Sequence, residues 1–90
     1  MNKQRRANIQ KTIELLNQYK SDAEKIESSI KTILETEEQH RDNIPTEPRY
    51  RHLIEKADYT CDYIGAAGEY MEESKSYIDD VINSLQKAME

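Results

Sequence analysis

Apolar residues recur every 3.5 positions over residues 9–33 and again over residues 50–89, with Asn43-Ile44-Pro45-Thr46-Glu47-Pro48 between the two runs. That period lays one oily stripe along each of two helices. With Ile9 at heptad position a, the a series of the first run reads Ile9, Leu16, Ala23, Ile30, Glu37. Its d series reads Thr12, Tyr19, Ile26, Ile33, His40. Ile13 and Leu34 fall at e and Leu15 at g, so the stripe is wider than a strict two-stranded seam. In the second run the a series is Tyr50, Ala57, Ile64, Met71, Ile78, Leu85, and the d series is Leu53, Thr60, Ala67, Ser74, Val81, Ala88. Ile54, Cys61, Gly68, Ile82 and Met89 occupy e.

The break has its own chemistry. Asn43 tolerates the left-handed conformation after a helix, and the residue before Pro45 is pushed out of the helical region. Pro48 suits the first turn of a new helix, where a missing N–H costs little. The pattern therefore predicts an all-α fold: an antiparallel two-helix hairpin, helix 1 over about 4–42, a turn at 43–47 and helix 2 over about 48–89. Each helix would be on the order of 60 Å long. A fold at Pro45 would set residues whose numbers add to roughly 90 side by side, with Ala23 near Ala67 and Ile26 near Ile64. The run Ile64-Gly65-Ala66-Ala67-Gly68 is costly inside a helix, since each Gly loses about 1 kcal/mol relative to Ala. Close approach of another backbone at mid-rod would compensate; a ligand cleft is the sharper alternative.

Tyr63, Tyr70 and Tyr77 repeat every seven residues at g, beside the seam. Two helices alone cannot cover both stripes. A second hairpin could, giving a four-helix bundle with ring bodies buried and hydroxyls at the wet edge. Ile54, Met71, Ile78 and Ile82 join the three tyrosines as the expected homodimer face.

Composition supports a narrow seam rather than a thick core: no Phe or Trp, 34% charged residues and 36% apolar. Ninety residues make one small domain. Net charge is −5, with eight basic and eight acidic side chains in residues 1–42 against five and ten in residues 43–90. General nucleic-acid binding needs a basic face and is not expected. Only the start is basic: Lys3, Arg5, Arg6 and Lys11 oppose the macrodipole there, so this end should fray unless an anionic neighbour such as Asp79, Asp80 or Glu90 holds it. No stretch is long and apolar enough for a signal peptide or a membrane span, and the lone Cys61 has no intrachain partner. A cytoplasmic protein is the expectation.

Candidate chemistry is sparse. Glu37 and His40 have the Glu-x-x-His spacing that sets two metal ligands on one helical face. His52 and Glu55 repeat the pair in reverse across the turn. These four are weak metal candidates, because hairpin-tip ligands are exposed and no seam carboxylates complete a set. Cys61 sits beside Asp58 and Asp62, which would raise a thiol pKa, and reads as a small seam residue. No phosphate loop, Ser/His/Asp set or zinc spacing is present, so neither an enzyme nor a cofactor is expected.

The whole chain resembles short acidic helical-hairpin proteins of Firmicutes phages, prophages and their hosts. The resemblance rests on the Met1-Asn2-Lys3 and Arg5-Arg6 start, the acidic Glu35, Glu37 and Glu38, the Asn43-Ile44-Pro45 turn and the Arg49-Tyr50 opening of the second helix. The turn here is short of the longer polar loop of those proteins. The resemblance implies a hairpin of mobile-element origin and supplies no site residues. The chain lacks the Trp-x-Gly turn of small secreted hairpins and the third helix of helical chorismate mutases. The expected function is a non-enzymatic protein–protein interaction module, a homodimer acting on a host or phage protein as adaptor, scaffold or inhibitor. A small-ligand or metal-binding helical bundle is the alternative.

Overall fold

The computed structural model describes residues 2–90. Helix α1 runs Lys3–Asp42, a 3-10 turn covers Pro48–Tyr50, and helix α2 runs Arg51–Ala88. The two long helices pack antiparallel as a coiled-coil-like hairpin measuring 71 × 16 × 12 Å.

Both ends of α1 follow from local chemistry. Asn2 caps the start, its side-chain oxygen accepting from the Arg5 N–H at 2.8 Å. The basic first turn is held by backbone rather than by a carboxylate: the Arg6 guanidinium donates to the Met89 carbonyl at 3.0 Å, at the electronegative end of α2. Asp79, an expected neighbour of that start, instead meets Lys20 at 2.7 Å. At the other end Asn43 stays in the right-handed region, with φ −86° and ψ −6°. The expected left-handed cap does not form. The Ile44 N–H still reaches the Arg41 carbonyl at 3.1 Å, and Pro45, which has no N–H to offer, stops the ladder. Pro48 opens the 3-10 turn, closed by the Tyr50 N–H on the Glu47 carbonyl at 2.9 Å.

The register differs from a bend at Pro45. That bend would put Lys20 opposite about residue 70, yet Lys20 pairs with Asp79, and Arg41 with Asp58 at 3.5 Å. Ile44 is the reason. It is half-buried and shares a groove with Leu53 and Ala57, so it extends the seam by another position. The crossing is left to residues 45–50, and the pairing moves by more than two turns.

The seam also uses a different pair of rows. Two rows are buried or half-buried at every position: Ile9, Ile13, Leu16, Lys20, Ala23, Glu27, Ile30, Leu34, Glu37 and Arg41 of α1, continued by Ile44, and the same alternation from Tyr50 to Met89 along α2. These are the a and e rows. The d residues Tyr19, Ile26, Ile33, Leu53 and Val81 stand half exposed instead. The e row is favoured because its long cations find partners across the hairpin. Lys75 Nζ lies 2.9 Å from Glu27 Oε2, and Lys20 and Arg41 pair as above. The Lys75 ammonium, hydrogen-bonded to Glu27 against the cost of desolvation, is pushed above its ordinary range. Cys61, a small e residue of α2, is buried in this seam.

The covered core is thin: Ile13, Ala23, Ala57, Cys61 and Ile82 are buried. Desolvation is the chief reason that the Cys61 thiol is pushed up; Glu38, Glu37 and Asp58 add to it and Arg41 opposes. Cys61 is thus a protonated packing residue at neutral pH.

The glycine run does not mark a close backbone approach. A Cβ at Gly65 would meet nothing within 4 Å, and one at Gly68 would touch Ile30 Cγ2 at 3.6 Å, an ordinary contact. Gly65→Ala and Gly68→Ala should therefore each stabilise the hairpin by up to about 1 kcal/mol through helix propensity. Urea titration followed by circular dichroism measures this; a loss of stability at Gly68 would mean that the helices lie closer there.

Candidate interaction surface

An a/e seam in an antiparallel pair leaves both d rows on the same side of the hairpin. The grooves beside the seam show it. One is lined by His40 from the d row of α1 together with Leu53 and Thr60 from the d row of α2. The groove on the opposite side is lined by Lys31, Gly65 and Glu72, all at b. The hairpin therefore has two unlike long faces.

The d face is large and nearly free of charge. From Asn8 to His40 and from Leu53 to Ala88, the d and g positions carry only two charged side chains, Asp22 and Lys56, in a chain where 31 of 90 residues are Lys, Arg, Asp or Glu. The charges lie elsewhere, so this side is set apart by chemistry as well as by shape. Its large apolar members are Leu15, Tyr19, Ile26 and Ile33 of α1, and Leu53, Tyr63, Tyr70, Tyr77 and Val81 of α2. They range from 45% exposed at Val81 to 69% at Leu15 and Tyr70. Thr60, Ala67 and Ser74 form a shallow trough of small residues among them, half-buried against the seam.

The three tyrosines are exposed beside that trough. Tyr63 also packs at a tilt against Tyr59, ring centroids 4.7 Å apart at 51°, so an aromatic pair rather than a single ring stands at that level. Ile54, Met71, Ile78 and Ile82, the aliphatic half of the expected homodimer face, lie elsewhere. Ile82 is buried and the other three half-buried at a and e positions. The intramolecular seam takes them, and the d row of α1 stands in their place on the open face. The signal for this lay in the e row: Lys20, Glu27, Arg41 and Lys75 are spaced to pair across a hairpin, which draws e inward and turns d out.

The metal candidates are not drawn together. Glu37 and His40 border the groove near the tip, but Lys56 shares it with them, and an ammonium there repels a cation. Glu55 is tied to Arg51 at 3.2 Å, and His52 is exposed at c on the far side of its helix. Among the described residues no three His, Cys, Asp or Glu side chains are placed to share a metal ion. The mid-rod small residues open a shallow groove on the charged side, bordered by Glu27, Lys31, Glu69 and Glu72. Among the described residues no helix is long and apolar enough to cross a membrane.

Searches against protein-family models, curated proteins and solved structures match nothing to this chain.

Proposed function

We propose that this chain is a non-enzymatic protein–protein interaction module whose working unit is a homodimer, with the d face of one hairpin laid on that of a second to make a four-helix bundle. The observation that carries this is the nearly uncharged, apolar d face. Contiguous apolar patches on soluble monomers are ordinarily a few hundred Å². Counting roughly 150–250 Å² for each aromatic side chain and somewhat less for each aliphatic, the exposed fractions of the nine large residues come to on the order of 1,000 Å². A standard interface buries about 800 Å² per partner, so one such face covering another suffices.

Whole-chain dimensions support the same reading. A globular chain of 10.6 kDa has an accessible surface of about 5,500 Å²; this hairpin has 7111 Å². Its radius of gyration is 20.5 Å, against about 12 Å for a compact domain of this length. Only one thin seam holds the two helices together, and a second copy would supply the missing layer of core. A dimer of this kind would serve as adaptor, scaffold or inhibitor for a host or phage protein, as the resemblance to mobile-element hairpins implies.

Coupling between folding and association gives the test. The thermal midpoint should rise with protein concentration between about 1 and 100 μM, because dilution favours the unfolded chains of a dimer. A midpoint independent of concentration, with a monomer present throughout, would assign the face to a different partner.

A further inference from the structure

We infer that the second copy lies antiparallel to the first, tip to open end, about a two-fold axis that crosses the rod at the level of Tyr70. This rests on the dimer reading above and adds which surfaces meet. The hairpin fixes the relative levels of its two helices: Ile30 lies against Gly68, Glu27 against Lys75 and Lys20 against Asp79. The midpoint between Ile26 and Ile33 therefore stands within about a turn of Tyr70. A two-fold axis there, lying between the d faces and perpendicular to the rods, stacks α1 on α1 and α2 on α2 of the partner.

One axis then satisfies both helices. On α1 it sets Ile26 opposite Ile33 of the second copy, and Ile33 opposite its Ile26. On α2 it sets Tyr70 beside its own counterpart, with Tyr63 opposite Tyr77 and Ala67 opposite Ser74. The largest exposed side chains meet one another around the centre while the small trough residues meet in the middle. All neighbouring helices run antiparallel, which suits their dipoles.

The charges separate this arrangement from its rival. Copies laid parallel, tip beside tip, would bring two basic starts, each with Lys3, Arg5 and Arg6, to the same end of the bundle, diagonally across from each other. The antiparallel axis holds those clusters at opposite ends. It also faces Asp22 with Thr36 and Lys56 with Ser84, so the two charges on the d face meet neutral side chains. Because the axis is two-fold, the face is used up on pairing and the assembly closes at two copies instead of growing into a fibre.

A nitroxide label in the tip loop reads the arrangement directly. Thr46 is exposed there. In a Thr46→Cys chain labelled while folded, the buried Cys61 is spared; Thr46→Cys with Cys61→Ala serves as the second variant should Cys61 also react. Dipolar spectroscopy should give a tip-to-tip distance of about 60 Å, twice the rise from the tip to Tyr70, in a species of twice the chain mass. A dimer with tips closer than about 35 Å would overturn the antiparallel axis and leave self-association standing. A monomer without dipolar coupling would overturn both.

Discussion

Replacing Ile13 with Asp is expected to leave the chain largely unfolded at room temperature. Ile13 is only 4% exposed, the most covered large side chain of the seam. Removing a buried isoleucine costs about 2–5 kcal/mol by truncation alone, and a carboxylate in its place must be desolvated without a partner. A hairpin with five buried residues among the described ones has little stability to lose. Circular dichroism at 222 nm should show most of the helical signal gone, and a chain that keeps its helicity and native urea midpoint would contradict the a/e seam. Glu14→Lys, one residue along and exposed, should change stability by less than about 0.5 kcal/mol.

The second large effect belongs to the other row. Ile26→Asp should weaken dimerisation at least about 100-fold, close to 3 kcal/mol, while costing the isolated hairpin far less than Ile13→Asp does. Ile26 is 51% exposed within one copy, so a carboxylate there reaches water as long as the chain is alone. On the dimer axis it would be confined against the partner's Ile33, and symmetry repeats the cost at the mirror contact. Sedimentation velocity over a concentration series measures the loss. An unchanged dimer would remove Ile26 from the interface. The pair of substitutions is informative together, because an a/d seam reverses them: Ile26 would then be core and Ile13 its edge.

That reversal marks where the sequence is legible and where it is not. The hairpin of two long helices is readable because a 3.5-residue repeat and two prolines leave little else for the chain to do. The rows that meet are not readable from apolar periodicity, since a, d and e are all partly apolar in both helices. Charged residues decide it: Lys20, Glu27 and Lys75 can be half-buried only where they find each other's helix. Ile44 decided the register in a similar way, by remaining in the seam past the last turn of α1. The tyrosine stripe was visible as an unpaired row, but its companions on α1 emerged only once e had turned inward. Asn43 shows the limit of residue preference, since a helix stopped by a proline two places on needs no left-handed cap.

Light scattering coupled to size exclusion tests the central claim most directly, namely that the side left bare by the seam is closed by a second copy. The unmodified chain should elute with about twice its 10.6 kDa mass at micromolar concentration. A mass of 10.6 kDa at every concentration, with helicity intact, would contradict it.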